Sequence, residues 1–333
     1  MKRELPFSSS LAPVCSRYID LKRALGRDYS IERRVLHSLD RFLSDSSNNF
    51  PDLTLRVFQQ WCRTQEKLAS GVRRSAMRTI YNFCLYRRRT EPYCFVPDPS
   101  LFPLPHQKIR PYIVSESDAA QLLAACSRLR RISTSPLRPE VIRIAIALLY
   151  TTGMRRGELL RLIVSDYDSK EGALLIRESK FHKSRILPLH KDMANEINRY
   201  LQLRREHHLP MSPETPLLWN RRGGGESYTG SGLGKNVRIL FNLCAIRTAK
   251  GNPPRIHDFR HSFAANTLLR WYRAGVDVNA KLPFLATYLG HASIVSTYYY
   301  LQFIEPLRAL ASKRFGDHYE KLVAPPNSKR GRR

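Results

Sequence analysis

Acidic residues are scarce in this chain: 28 aspartates and glutamates stand against 56 lysines and arginines, a formal net charge of +28. Such an excess repels itself unless a polyanion shares the surface. Nucleic acid is the polyanion that we expect, and an anionic membrane surface is the competing partner. The sequence also lacks an apolar run of the roughly 18 residues that a spanning helix requires. Its first residues lack the long apolar region of a signal peptide, so we expect a cytoplasmic, nucleoid-associated protein without membrane contact.

Paired cysteines are lacking as well. The six cysteines are scattered and form no CxxC motif, which disfavours a zinc site and a disulfide framework and favours reduced thiols. His207 and His208 have no neighbouring ligand set, so no metal site is predicted there. The segment GSGLGK at 230–235 lacks the residues that complete a phosphate-binding loop.

Proline density divides the chain. Prolines at this density block both a helix and a central strand. The best linker candidate is therefore the segment 91–111, EPYCFVPDPSLFPLPHQKIRP. We therefore expect a helical domain over residues 1–110 and a second domain over 112–320. The basic segment 321–333 is predicted to be a flexible tail.

Hydrophobic periodicity predicts a mainly α-helical protein. In SIERRVLHSLDRFL, apolar residues recur at helical spacing and Ser30 can cap the helix. The stretch 141–150 is apolar nearly all round, which indicates a buried core helix. The segment GALLIRESKFHKSRILPL changes period, and its two short apolar runs predict a β-hairpin or the edge of a small sheet. The fold class is thus mainly α with a small sheet in the second domain, an α+β arrangement.

A basic helix face lies in the first domain. Arg73, Arg74 and Arg78 occur in GVRRSAMRTIYNFCLYRRR, where Arg74 and Arg78 lie four apart on one face. The face is either simply solvated or contacts DNA phosphates as part of a clamp. The charge of the whole chain favours the clamp.

Several residues of the second domain suit phosphate chemistry. Arg155 follows a glycine-broken helix junction, and Arg260 lies in HDFRH. Two guanidinium forks can bracket the non-bridging oxygens of one phosphate, although either arginine alone could be an ordinary surface residue. His257 lies three residues before Arg260, on the same helix face, where a histidine can donate to a phosphate or move protons. For His257 and for His291, a helix cap or a core position is the competing interpretation.

A tyrosine triplet follows near the end of the chain. Tyrosine has an ordinary pKa near ~10, so Tyr300 needs nearby cations to act as a nucleophile at neutral pH. Successive residues of a helix diverge by about 100°, so only one tyrosine of the triplet can face a given pocket. Packing or stacking on DNA is the competing interpretation of the run.

Four separated stretches carry a family resemblance. TTGMRRGELL, SKFHKSRILPL, HDFRH and LGHASIVSTYYY occur in this order between residues 115 and 305. In these stretches the chain resembles the tyrosine recombinases, the integrase family of site-specific DNA strand-exchange enzymes. The preceding part is similar to that family's core-binding domain only in being helical, basic and of suitable length.

The resemblance implies roles for individual residues. Arg155 and Arg260 match the phosphate-binding arginines, and His257 matches the histidine of the HxxR motif. His291 matches the residue that supports the nucleophile, and Tyr300, nine residues later, matches the nucleophile itself.

The resemblance also covers the hairpin and a carboxylate. Lys180 matches the hairpin lysine that protonates the 5′-oxygen, with Lys183 as the alternate. Glu158 matches an orienting carboxylate rather than a proton carrier. Lys183 and Arg185 are expected to contact DNA beside the arginines of the first domain.

The implied enzyme cleaves and rejoins DNA through a 3′-phosphotyrosine and needs neither metal nor nucleotide cofactor. Its partners would be a double-stranded recombination site and further copies of the same chain, as a tetramer on paired sites. Integration or excision of a mobile element is the expected setting. A DNA-relaxing enzyme of the type IB topoisomerase kind and an inactive DNA-binding relative remain alternatives.

Overall fold

The computed structural model describes residues 6–45, 50–104, 110–177, 184–222, 225–291 and 297. The chain divides into two compact units, Met1–Ile109 and Arg110–Arg333. Each unit has hydrophobic core residues of its own. Across the described segments, no helix is long and apolar enough to cross a membrane.

The described part of the first unit contains four α-helices. They are α1 (Ala12–Ala24), α2 (Ser30–Leu43), α3 (Leu55–Thr64) and α4 (Ser70–Arg87). Their apolar faces meet around Trp61 and Phe83, which are almost fully buried. Thr54 caps α3, because its side chain accepts a hydrogen bond from the backbone N–H of Val57 at 3.3 Å.

Helix α2 does not begin as predicted. Tyr29 holds its N-cap position with a left-handed φ of 53°, and no side chain caps the helix. The Ser30 hydroxyl donates instead to the Asp28 carboxylate at 2.7 Å. The predicted serine cap is therefore wrong, since Ser30 is already the first helical residue and Tyr29 holds the cap position.

The second unit is organised around a buried helix. Its described helices are α5 (Glu116–Ala125), α6 (Arg138–Thr152), α7 (Arg156–Arg161), α8 (Lys191–Glu206), α9 (Gly230–Leu243), α10 (Asp258–Arg273) and α11 (Val278–Leu289). Helix α6 buries ten of its residues and packs against α5, α8, α9 and α10, as its apolar sequence predicts. Ser115 begins α5 with a capping box, in which its hydroxyl accepts from Asp118 N–H at 3.0 Å.

A small antiparallel sheet completes the second unit. Within the described residues it has the strands β1 (Tyr167–Asp168), β2 (Ala173–Ile176) and β3 (Arg185–Pro188), in the order β1-β2-β3. Leu174 pairs with Leu187 on the buried face, and Leu175 pairs with Ile186 on the exposed face. The predicted hairpin and the predicted fold class, mainly helical with a small sheet, are both confirmed.

Candidate functional site

Two helix ends of the second unit meet at the site, and each is followed by a glycine. Gly153 follows α6 with φ +61°, and Gly290 follows α11 with φ +66°. A Cβ atom at Gly153 would lie 2.6 Å from Cδ1 of Phe263, and one at Gly290 would lie 2.9 Å from Nη1 of Arg185. Both positions therefore need glycine, for the left-handed backbone and for the close approach of a neighbouring side chain.

Three arginines converge on the end of α11. The backbone carbonyls of residues 288–290 each accept a hydrogen bond from a different guanidinium group. Arg185 Nε donates to the first at 2.8 Å, Arg260 Nη2 to the second at 2.8 Å and Arg155 Nη2 to the third at 2.7 Å. The last carbonyls of a helix have no intrahelical partner and carry partial negative charge. The helix end thus holds Arg155, Arg185 and Arg260 together, and we call these three residues the arginine cluster.

Arg260 also connects the two helix ends. It lies in the first turn of α10 and is only 3% exposed. Its Nη1 donates to the Gly153 carbonyl at 2.9 Å, while its Nη2 reaches the end of α11. The ends of α6 and α11 are therefore held through one buried guanidinium group.

Glu158 is the anion within the arginine cluster. Its carboxylate accepts from Arg155 N at 2.9 Å, Arg155 Nη1 at 2.8 Å, Arg185 Nη1 at 3.1 Å and Arg185 Nη2 at 2.9 Å. The residue is 3% exposed. Burial alone would raise the pKa of this carboxyl group, but the hydrogen bonds and charges of Arg185 and Arg155 lower it to about 2. Glu158 is therefore ionised at neutral pH and acts only as an acceptor.

His291 is placed by the same helix end. Its backbone N–H bonds the Ala286 carbonyl at 2.9 Å, which closes α11 beyond Gly290. Its ring Nδ1 lies 2.8 Å from the Thr297 hydroxyl oxygen. Desolvation and the charges of Arg260 and Arg155 lower the pKa of His291 to about 4, so the imidazole is neutral at pH 7.

A second histidine pair lies at the start of α10. His257 is the N-cap residue, and its ring contacts the His261 ring edge-on with centroids 4.8 Å apart. Desolvation and the charge of Arg260 lower the pKa of His257, while desolvation and His257 lower the pKa of His261 to about 4. At neutral pH both rings offer one N–H donor and one acceptor nitrogen.

The structure brings most of the predicted site residues together. Arg155, Glu158, Arg260 and His291 surround the ends of α6 and α11. His257 is close enough for the charges of Arg260 and Arg155 to lower its pKa. Three predicted residues lie outside the described residues: Lys180, Lys183 and Tyr300.

The arginines predicted to contact DNA differ in their surroundings. In the first unit Arg78 is exposed, Arg73 is half-buried, and Arg74 Nη1 donates to the Pro103 carbonyl at 2.6 Å. In the second unit the Arg185 side chain is 12% exposed and donates to Glu158 and to the end of α11. Arg185 therefore lies inside the cluster instead of on an open face, because a buried carboxylate satisfies its fork.

Two contacts at the site were not predicted from the sequence. His261 follows Arg260 directly in HDFRH, and Thr297 lies six residues after His291. The sequence signal for both is their place within the HDFRH and LGHASIVSTYYY stretches that carry the predicted site residues. Within the described ranges, no group of three His, Cys, Asp or Glu side chains could hold a metal ion.

Comparison with solved structures identifies the fold as that of the tyrosine recombinases. The recombinase XerH bound to palindromic difH substrate aligns with a TM-score of 0.61 at 18% identity, over 86% of this chain and 79% of XerH. The Tn1549 transposon integrase in complex with transposon right end DNA aligns with a TM-score of 0.57 at 16% identity, over 86% and 94%.

The sequence comparisons place the chain in a family. Residues 113–304 match the phage integrase family. The integrase/recombinase y4rB of Sinorhizobium fredii is 30% identical over 314 residues, which cover 94% of this chain and 99% of y4rB. The chain therefore belongs to the phage integrase family, whose members, the tyrosine recombinases, are enzymes that cleave and rejoin DNA. The predicted family and enzyme class are both confirmed.

Proposed function

We propose that this protein is a site-specific DNA recombinase or integrase that works through a 3′-phosphotyrosine formed by Tyr300. One observation carries the proposal: Arg155 and Arg260, distant in sequence, donate to adjacent carbonyls at the end of α11, next to His291. Family membership supports the same assignment, because the matched segment includes Tyr300.

In this proposal the arginines bind the scissile phosphate. Arg155 and Arg260 bracket its non-bridging oxygens and stabilise the charge that develops at phosphorus. The Tyr300 oxygen attacks phosphorus and gives its proton to water, while the bond to the 5′-oxygen breaks and Lys180 protonates that oxygen. His257 donates to the phosphate, and His291 supports the nucleophile through a neutral imidazole. A 5′-hydroxyl of a partner strand then attacks the phosphotyrosine and releases Tyr300, so the number of phosphodiester bonds is conserved.

We assign the first unit to DNA clamping. The exposed Arg78 and the neighbouring Arg73 and Arg74 would contact phosphates, and Lys183 would do so from the second unit. The formal net charge of +28 supports this role. The full assembly in the proposal is a tetramer of this chain on two paired double-stranded sites at the nucleoid.

The setting that we propose is integration or excision of a mobile element. The similarity to y4rB, which is named an integrase/recombinase, extends over nearly the whole of both chains. The alternatives are a DNA-relaxing enzyme and an inactive relative, and both are outcomes of the experiments below.

Covalent trapping tests the chemistry. A randomised pool of nicked duplexes is incubated with the protein, and covalent complexes are isolated in denaturant and sequenced to obtain a working site. We expect wild-type protein, Tyr298→Phe and Tyr299→Phe to form the complex, and Tyr300→Phe to form none. A Tyr300→Phe protein that still becomes attached to DNA would overturn the assignment.

Strand exchange tests the function. Duplexes that carry the recovered site in two lengths are mixed with the wild-type protein, and recombinant lengths are expected. Relaxation of supercoiled DNA without recombinant products would identify the relaxing enzyme instead. Absence of any covalent complex with wild-type protein would identify the inactive relative.

A further inference from the structure

Arg185 occupies a position where one guanidinium group joins three elements. It begins β3, its Nη1 and Nη2 reach Glu158 in α7, and its Nε donates to the Tyr288 carbonyl at the end of α11. All three nitrogens are thus committed within the protein, and the side chain is 12% exposed. A planar fork fits a carboxylate in this bidentate way, and a lysine would not reproduce it.

Glu158 is shared between two cations. The carboxylate that Arg185 holds with two bonds is the same group that accepts from the Arg155 side chain at 2.8 Å and from the Arg155 backbone at 2.9 Å. The guanidinium group of Arg155 therefore takes its direction from a carboxylate whose own position depends on Arg185. Without Arg185, the Glu158 carboxylate would remain almost fully buried with Arg155 as its remaining cationic partner. Such a buried and poorly paired charge is unfavourable, so the carboxylate would rearrange toward Arg155 or toward water.

Gly290 shows how tightly the two guanidinium groups are packed. A Cβ atom on this residue would lie 2.9 Å from Arg185 Nη1 and 3.4 Å from Arg155 Nη1. Both groups thus lie against the same backbone corner, immediately before His291. A change in the position of Arg185 is transmitted to Arg155 directly through this corner as well as through Glu158.

We infer that Arg185 is a positioning residue for DNA cleavage, which fixes the phosphate-binding guanidinium group of Arg155 through Glu158 and the end of α11 without touching DNA. This inference rests on the proposed function. It assigns Arg185 a different role from that of an exposed arginine on the same hairpin. Arg177, just beyond β2, has a side chain 50% exposed and pairs with Asp166, so Arg177→Met serves as the matched control.

The first experiment separates binding from cleavage. Arg185→Met and Arg177→Met are compared with wild-type protein on the nicked duplex recovered above. The cleavage rate is measured at saturating DNA and is divided by the fraction of the protein that binds DNA. We expect Arg185→Met to lower the cleavage rate by about 100-fold, since a misplacement of about 1 Å has that effect. The DNA dissociation constant should change by less than about twofold, as for an interaction made only in the transition state. A loss of DNA affinity of about tenfold or more would show a direct DNA contact and overturn the inference.

A neutral substrate tests whether the effect runs through the phosphate. A methylphosphonate at the scissile position removes the negative charge that Arg155 would balance. On this duplex we expect the ratio of the wild-type rate to the Arg185→Met rate to shrink to about threefold or less. A misplaced Arg155 matters less there, because the neutral phosphonate develops less negative charge in the transition state. Arg155→Ala is expected to behave in the same way. An unchanged difference on the two duplexes would indicate general structural damage and overturn the inference.

A double-mutant cycle tests the route through Glu158. In a Glu158→Gln background, the Arg185→Met substitution should lower the rate by less than about threefold, because residues that act as one unit are not additive. Arg185→Lys, which keeps the charge but loses the fork, should recover only part of the rate. Full additivity in the cycle, or full rescue by lysine, would overturn the inference. The proposed function fails separately, through the Tyr300→Phe result, so the two failures are distinguishable.

Discussion

Replacement of Glu158 by glutamine tests the energetics of the arginine cluster. The substitution keeps the shape of the side chain but replaces one acceptor oxygen with an NH₂ group that faces the donors of Arg155 and Arg185. The hydrogen bonds from these arginines overcome burial and lower the pKa of Glu158 from 4.5 to about 2. A pKa difference of this size between unfolded and folded states corresponds to about 3 kcal/mol of stability. We expect Glu158→Gln to lower the free energy of unfolding of the second unit by about this amount at pH 7.

The pH dependence of this effect has a definite sign. Because the folded-state pKa is depressed, the unfolded chain takes up the proton first when the pH falls. The contribution of Glu158 is therefore complete above the unfolded pKa of about 4.5 and disappears as the pH falls toward about 2. The difference between wild-type protein and Glu158→Gln should stay constant from pH 8 to about 5 and shrink below that range.

Urea unfolding followed by tryptophan fluorescence measures this difference. The chain has three tryptophans, and with Trp61→Phe in both proteins the remaining two, Trp219 and Trp271, report the second unit alone. Glu196→Gln is the control, since Glu196 pairs with Arg143 but its side chain is 30% exposed, and it should cost less than about 1 kcal/mol. A loss for Glu158→Gln that is no larger than this control would refute the reasoning.

Two further predictions concern the helix ends. Gly153→Ala should cost more than about 2 kcal/mol in urea unfolding, because it combines a left-handed φ with a Cβ atom 2.6 Å from Phe263. Gly251→Ala, with φ +76° and open space around it, should cost only about 1 kcal/mol, and equal costs would contradict the packing argument. His291 should stay neutral from pH 8 down to about 5 in an NMR titration, since its pKa is about 4, and a midpoint at 6 or above would contradict the charge effect of the arginines. Because this pKa is depressed, the unfolded chain protonates first, so His291 lowers stability as the pH falls from 6.5 toward 4.

Local sequence patterns predict the elements of this fold well where one signal dominates. The apolar run in α6 correctly predicts a buried helix, since α6 packs against α5, α8, α9 and α10. The change of hydrophobic period before Arg185 is likewise a local signal, and it predicts the hairpin. The resemblance to the tyrosine recombinases also points to Arg155, Arg260 and His291, and the structure places these three residues around one helix end.

The partners of individual side chains are predicted less well. The sequence places Arg185 in a basic hairpin, which is typical of DNA contact, whereas its partners are a carboxylate 27 residues away and a carbonyl 103 residues away. Such partners depend on tertiary packing, which no local pattern encodes. The start of α2 also differs, because Tyr29 holds the cap position in a left-handed conformation that its residue type does not indicate.

The hydrogen bonds at the end of α11 join residues that are 135, 103 and 29 positions apart along the chain. Closing contacts of such long range costs chain entropy, which other contacts of the folding chain must offset. During synthesis the ribosome delivers α11 after every other element of the cluster. A chain that stops short of it already has basic surface for holding polyanions but cannot gather the three guanidinium groups around one corner. Premature termination would therefore yield a fragment that binds polyanions but does not cleave a DNA strand.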